Sequence, residues 1–205
     1  MIVTVASCRL AGPETPALVA QWASFEDRAH AGTRTASLTA RALLRHLLAE
    51  VWGEGDWEIE TDAKGKPWLR SPDGERGPSI SLSHSGDWVT VATVASGRLG
   101  VDIETHKPRK FDKLAAYAFG PQEGALVAAG GAAAFYRIWV LREARSKATG
   151  VGIAEAANRQ DQVIGEGDAW RDRSWFFAFR RLAPDLSFGL ALEALTDSPV
   201  EVRWL

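Results

Sequence analysis

Two carboxylates stand two positions apart in the run Leu-Gly-Val-Asp-Ile-Glu, Leu99 to Glu104, where every other residue is apolar or glycine. In a strand, residues i and i+2 share a face, so Asp102 and Glu104 project together while Val101 and Ile103 oppose them. Like charges held this close repel unless a cation sits between them or one takes a proton. Oxygen ligands from a few carboxylates, completed by water and phosphate, suit Mg²⁺. Taken alone, the pair has a plainer account, since acids on an open strand face, paired with Arg or Lys, are common. A third acid shifts that balance. Glu143 and Lys147 are i and i+4 on one helix face, and Trp139 lies a further turn back on the same face. A surface ion pair of this kind is worth under about 1 kcal/mol, but the tryptophan points to a partly enclosed surface. Lys64, Lys66, Ser83, His84 and Ser85 add ammonium, hydroxyl and imidazole groups upstream that can hold phosphate. Each of these also has an ordinary reading as a solvated or satisfied turn residue.

The elements that must position these groups are legible from periodicity. Residues 1–7 are β-branched and short, and read as a strand. The stretch 16–29 has helical spacing after a candidate cap at Thr15. Thr35 to Gly53 is the clearest helix, with Leu38, Ala42, Leu43, Leu47 and Val51 as its apolar stripe and Arg41 and Arg45 off it. Strands are expected on either side of the Gly65–Pro67 turn, around His84 to Asp87, and from Arg98 after a turn at Gly97. Helices are expected over 110–119 and 121–150, the second interrupted at Gly130 and Gly131, and the last third reads as strands. A polar entry into a strand occurs at 81–94 and again at 183–195. The repetition suggests two similar α+β halves meeting near residue 100.

The bulk composition sets limits. The 205 residues are 46% hydrophobic and 24% charged, enough for one large domain or two small ones with an apolar core. A net charge of −2 offers no general field for nucleic acid, so anion binding must come from local clusters. Cys8 is the sole cysteine, which excludes a disulfide framework and a multi-cysteine metal site and fits a reducing, cytoplasmic setting. The N-terminus does not read as a secretory signal, and no run of about 18 uncharged apolar residues marks a spanning helix. The expectation is a cytoplasmic protein with neither nucleic acid nor membrane as a partner.

Taken in order, the motifs resemble those of the 4′-phosphopantetheinyl transferase superfamily, most closely its surfactin-synthetase-activating, two-half type. They are Gly65-Lys66-Pro67, Ser83-His84-Ser85-Gly86, Gly100-Val101-Asp102-Ile103-Glu104, Phe119 to Glu123, and Trp139 to Lys147. They span roughly residues 34–155. Gly-x-Asp-x-Glu alone is a weak pattern; the ordered set is specific. The resemblance implies an α+β fold of two pseudo-symmetric halves, residues 1–98 and 99–205. Each half would be a helix packed on a small antiparallel sheet, with the active site in the cleft between them. It further implies transfer of 4′-phosphopantetheine from coenzyme A to a serine of an acyl or peptidyl carrier protein, releasing adenosine 3′,5′-bisphosphate. Mg²⁺, or Mn²⁺ in its place, would be held by Asp102, Glu104 and Glu143. Catalysis would rest on Asp102, on Glu143 taking the serine proton, and on Lys147 serving the leaving phosphate. Lys66, Ser83, His84 and Lys147 would hold coenzyme A phosphates, and Arg34 and Arg41 are the candidates for its adenine end.

The chain departs from the family pattern at Arg142, where a lysine is usual, and in the Gly130-Gly131 and alanine run. These departures motivate a second reading, a homologue that binds coenzyme A or a carrier without efficient transfer. A third, an unrelated phosphohydrolase or nucleotide-binding module, lacks both a Walker-type loop and a Gly-x-Gly-x-x-Gly run.

Overall fold

In the computed structural model the described residues are 1–71, 73–151, 160–194, 196 and 198–205. The last few positions of the 34–155 motif span therefore lie outside them. The chain opens with β1 (Ile2–Arg9), followed by α1 (Thr15–Trp22), α2 (Phe25–Ala31) and α3 (Thr35–Trp52). The single helix expected over 16–29 is two helices. Ser24 leaves helical geometry at ψ 171°, its hydroxyl accepts from the Asp27 N–H, and the Asp27 carboxylate accepts from the Ser24 N–H. That reciprocal capping box starts α2 and ends the preceding run. Along α3 the buried face is wider than the stripe read from sequence, taking in Leu44, Leu48 and also Arg41.

Next come β2 (Glu58–Thr61), β3 (Pro67–Arg70), β4 (Ser79–Ser85), β5 (Trp88–Val94) and β6 (Arg98–Thr105). The remaining elements are α4 (Phe111–Ala118), α5 (Pro121–Thr149), β7 (Ala169–Asp172), β8 (Trp175–Ala183), β9 (Leu186–Glu193) and β10 (Glu201–Trp204). Two four-stranded sheets form, ordered β10-β1-β5-β4 and β6-β9-β8-β7, beside the β2-β3 hairpin. The strand–helix–hairpin succession β1, α3, β4-β5 has a counterpart in β6, α5, β8-β9, and the first strand pairs with the second hairpin strand in both. The first sheet is mixed rather than antiparallel, because β10 returns from the end of the chain and pairs with β1 in parallel. A division at 98/99 falls one residue into β6, and β10 lies across it from its own sheet partner.

Three apolar clusters hold the layers. Leu44 and Leu47 of α3 pack on Ala6, Val89 and Val91 of the first sheet. Val5, Ala92, Leu99, Val101 and Leu190 join the two sheets. Phe135, Leu141 and Ala144 of α5 pack on Phe177 and Ala191 of the second sheet. β6 is thus covered on both faces, with Leu99 and Val101 toward the first sheet and Gly100 and Asp102 toward α5. Glycine is required on the helix side. A Cβ at Gly100 would meet the Ala144 carbonyl oxygen at 1.9 Å, and one at Gly189 would meet Val140 backbone at 2.7 Å. These two hydrogens let α5 lie directly on the sheet.

α5 is broken at Gly131, whose φ of 59° and ψ of −138° no β-carbon-bearing residue adopts readily. By length and composition α5 is apolar enough to cross a membrane. Its second half, however, is the core helix of the second sheet, burying Phe135, Tyr136, Ile138, Val140, Leu141 and Ala144.

Candidate active site

β4 and β6 belong to different sheets, yet they run side by side and are joined through serine hydroxyls. The N–H groups of Val101, Ile103 and Thr105 donate to the Oγ atoms of Ser81, Ser83 and Ser85 at 2.9, 3.4 and 3.1 Å. Alternate serines in Ser-Ile-Ser-Leu-Ser-His-Ser fall on one face of β4, so their side chains replace a backbone ladder along the seam. Two of them also donate to the acids of β6, Ser83 Oγ to Asp102 Oδ1 at 2.7 Å and Ser85 Oγ to Glu104 Oε2 at 2.8 Å. The serine spacing thereby fixes both carboxylates. Because Val101 is fully buried, Ser81→Ala strands its N–H. Urea unfolding of that variant should show a loss of about 1–3 kcal/mol.

The close seating of α5 over Gly100 brings its acid and lysine onto the same seam. Lys147 Nζ donates to Asp102 Oδ1 and to Ser83 Oγ, each at 2.7 Å. Ser83 Oγ then gives its one hydrogen to Asp102 and accepts from Lys147 and Ile103, which uses its full capacity. Asp102 is 5% exposed. The open-strand-face reading of Asp102 is therefore set aside, although its pairing with a lysine is present. Burial pushes its carboxyl above the usual aspartate range, with Lys147 and Ser83 opposing and Glu104 adding to the rise. Asp102 Oδ2 is buried without a hydrogen-bond partner among the described residues.

Glu143 stands half-buried on α5, and burial first, then the negative charges of Asp102 and Glu104, push its carboxyl up to about 7, against the pull of Lys147. Three acids therefore share one field with a single lysine. No group of three acid, histidine or cysteine side chains among the described residues forms a ready metal cluster. A carboxyl whose folded pKa is raised binds an extra proton in the native state. Its charging costs stability as pH climbs from the ordinary 4.5 through about 7. Glu143→Gln should therefore raise Tm at about pH 8 and leave it nearly unchanged at about pH 4.5, as read by thermal melts.

Of the phosphate-holding candidates, Lys64, Lys66, Ser83 and His84 line two adjoining cavities that share Gly65, Pro67 and Leu82. One, of about 320 Å³, is walled by Lys66, Ser81, Ser146 and Lys147. Lys66 Nζ donates to the Ala148 carbonyl at 2.5 Å, and burial with the nearby Arg98 and Arg76 charges lowers its pKa to about 8. The other, of about 680 Å³, is walled by His30, Arg34, Arg41, Ser83 and His84. His84 is exposed there, and Arg34 folds back on the His30 and Ala31 carbonyls at the start of α3. Arg41 is not the free arginine its helical position suggested. It is buried and pairs at 3.2 Å with Asp27, which Arg45 also holds at 2.5 Å. Burial would raise the Asp27 carboxyl, but Arg45 and the Ser24 N–H override it and hold it below the usual range. Asp27 thus sets the position of a cavity wall. Its signal in the sequence was the Ser24-x-x-Asp27 spacing of a capping box.

Arg142 points elsewhere. It donates to Glu123 Oε2 at 2.5 Å and to the Gln160 carbonyl at 3.1 Å, and it lies over the Phe119 ring. Glu123, fully buried, also caps the Gly120 N–H and accepts from the N–H groups of Gln162 and Val163. Of the residues expected at the site, the structure gathers Asp102, Glu104, Glu143, Lys147 and Ser83 on the seam. It sets Lys66, His84, Arg34 and Arg41 around the adjoining cavities.

Residues 98–177, which carry all three acids and Lys147, match the family model of the 4'-phosphopantetheinyl transferase superfamily. A phosphopantetheinyl transferase of Thraustochytrium sp. is 30% identical over 200 residues, covering 83% of this chain and 69% of that protein. The 4'-phosphopantetheinyl transferase psf-1 of Bacillus pumilus is 35% identical over 145 residues, 64% of this chain and 59% of its own length. HetI of Nostoc sp., also a 4'-phosphopantetheinyl transferase, is 32% identical over 122 residues, 56% of this chain and 52% of its length. The match to these last two thus spans little more than half of each. With one relative matched across most of both chains, and the family model falling on the segment that builds the acidic seam, this chain belongs to the 4′-phosphopantetheinyl transferase superfamily.

Proposed function

We propose that this chain transfers 4′-phosphopantetheine from coenzyme A to a serine of an acyl or peptidyl carrier domain, releasing adenosine 3′,5′-bisphosphate. The observation that carries this reading is the convergence of Asp102, Glu104, Glu143 and Lys147 beside a cavity lined by Arg34, Arg41 and His84. The arginines, His84, Ser83 and Lys66 suit the phosphates and adenosine end of coenzyme A. On this reading the strand–helix–hairpin units act as pseudo-symmetric halves, 1–98 and 99–205, and one chain supplies both walls of the cleft. The enzyme then works as a cytoplasmic monomer.

In the reaction the carrier serine Oγ bonds to the β-phosphorus of coenzyme A and the pyrophosphate P–O bond breaks. The electron pair leaves with adenosine 3′,5′-bisphosphate. The serine proton passes to Glu143, which stands half-buried on α5 beside Asp102 and Glu104. Lys147 bears on the leaving phosphate. The residues fit a divalent cation: Asp102 Oδ2 is a buried acceptor with no partner among the described residues, and Glu104 and Glu143 add oxygens. Mg²⁺, which takes few protein ligands and completes its shell with phosphate and water, would neutralise charge on the phosphoryl oxygens when held by Asp102, Glu104 and Glu143. Mn²⁺ can serve in its place.

Arg142, which motivated the binding-only reading, pairs with Glu123. The test is labelling of a panel of purified carrier proteins with a fluorescent coenzyme A analogue, with and without MgCl₂. Metal-dependent labelling of at least one carrier is expected. Failure across the panel, with coenzyme A bound, would move the chain to the binding-only class.

A further inference from the structure

Lys64, Lys66 and Lys147 all stand on the cavity of about 320 Å³, and their surroundings differ. Lys147 is held by the Asp102 carboxylate at 2.7 Å. Lys64 is exposed on the turn between β2 and β3. Lys66 is partly buried, and its ammonium meets a neutral acceptor, the Ala148 carbonyl, at 2.5 Å. Among the described residues it forms no ion pair; the nearby Asp62 carboxylate is taken up by the N–H groups of Lys64 and Lys66, each at 2.9 Å. Those two bonds, with Gly65 at φ 85°, close the turn and aim Lys66 at the end of α5. Its stem lies over Gly150, the cap of that helix, where an added Cβ would come 3.9 Å from Lys66 Cδ. We propose that Lys66 is a site of self-acylation: with an acyl thioester of coenzyme A in the cleft, its amine takes the acyl group, and the modified protein loses transferase activity. This rests on the coenzyme A binding of the transferase reading above and adds a covalent side reaction to it.

The thioester supplies everything the step needs. Neutral Nζ bonds to the acyl carbon and the C–S bond breaks. Its electron pair goes to the coenzyme A sulfur, and the proton shed by the nitrogen ends on that thiol. Nothing is oxidised or reduced. Two conditions must hold, an amine that sheds its charge readily and a thioester brought to it. The surroundings of Lys66 meet the first. Burial, then the Arg98 and Arg76 charges, lower it to about 8 against the pull of Asp62. A lysine desolvated or set among cations is the ordinary route to an amine nucleophile. The cavities meet the second. The one walled by Lys66 adjoins, through Gly65, Pro67 and Leu82, the larger one that takes the adenosine end on the transferase reading. A coenzyme A thioester with its nucleotide there reaches the wall that carries Lys66, and holding the reactants together turns a bimolecular encounter into a local one. Lys147 shares that wall but stays charged on Asp102. The effect on function follows from where Lys66 sits. It joins the β2–β3 hairpin to the last turn of α5, one residue from Lys147. An amide carries no charge to hold a helix C-terminus or a phosphate.

Incubation of the full chain with acetyl-coenzyme A, with acetylation of each lysine followed by peptide mass spectrometry, tests this without recourse to activity. Lys66 is expected to be acetylated about tenfold faster than the exposed Lys64 of the same turn. Saturating adenosine 3′,5′-bisphosphate should suppress modification of Lys66 and leave Lys64 unaffected. Carrier labelling by the treated parent should then fall in proportion to the acetylated fraction of Lys66. Lys66→Arg keeps a charge and takes no acyl group, so the same treatment should leave that variant at its own starting activity. Equal rates at Lys66 and Lys64, in protein that calorimetry shows to bind coenzyme A, overturn the proposal, and that measurement needs no variant to fold. So does modification of Lys66 that adenosine 3′,5′-bisphosphate does not slow, or a loss of labelling that Lys66→Arg shares. Any of these with carrier labelling intact before treatment leaves the transferase reading standing. Selective acetylation of Lys66 in a chain that labels no carrier upholds the site and removes the transferase reading. A parent that binds no coenzyme A at all overturns both.

Discussion

Asp102→Asn should cut carrier labelling about a thousandfold in kcat/KM while holding Tm within about 3 °C of the parent. Asparagine keeps an oxygen where Oδ1 accepts from Ser83 and Lys147, both at 2.7 Å, so the seam retains its hydrogen bonds. What is lost is the negative charge that a phosphoryl-transfer site uses to fix cations against the reacting oxygens. Removal of one such electrostatic element commonly costs about 10²–10³ in rate. Stability changes little because two effects oppose. The carboxylate is desolvated, which burial makes unfavourable and which raises its pKa; the amide escapes that cost but gives up the charge–charge attraction to Lys147. Since Lys147 is one-third exposed, its ammonium can still reach water. A large drop in Tm, or retention of most activity, would contradict the role assigned to Asp102.

Glu123→Ala is the counterpart with the opposite outcome: a heavy loss of stability from a residue outside the acidic seam. Glu123 is fully buried and holds four groups at once, the Arg142 guanidinium and the N–H groups of Gly120, Gln162 and Val163. Truncation leaves Arg142, itself buried, without its carboxylate and strips the first turn of α5 of its cap. Breaking a buried pair from one side costs about 3–5 kcal/mol, which for a chain of this size is a fall in Tm of about 10 °C. The double variant Glu123→Leu with Arg142→Met should recover part of that loss, because the two paired charges are removed together. Thermal unfolding of the single and double variants checks both statements. A Glu123→Ala loss below about 1 kcal/mol would mean that the guanidinium reaches another anchor.

Much of the site was legible before any coordinates. The period of two placed Asp102 and Glu104 on one strand face, and the period of 3.6 placed Trp139, Glu143 and Lys147 on one helix face. Both are local rules that need no knowledge of neighbours. The order of the motifs was enough to suggest the superfamily. Three readings went differently for physical reasons. Residues 16–29 carry helical periodicity throughout, but the Ser24–Asp27 box gives the backbone a better-satisfied break. Arg41 lay off the apolar stripe of α3, and a buried partner 14 positions upstream in the chain, Asp27, drew it inward. Arg142 stood beside Glu143 in sequence and therefore about 100° around the helix from it, so it meets a different neighbour.

The sequence by itself determined which chemical groups this protein has and which of them share a face, because side-chain direction follows from backbone geometry over a few residues. Only the tertiary structure decided which faces meet. Gly100 and Gly189 carry no signal of their purpose until α5 is seen pressed against them, a close approach that puts Lys147 on Asp102. The serines of β4 look like an ordinary polar strand face until β6 lies alongside and takes their hydroxyls in place of a backbone ladder. The parallel strand β10 needed a contact across nearly the whole chain. Such contacts depend on long-range packing and loop closure, which no short window of residues contains.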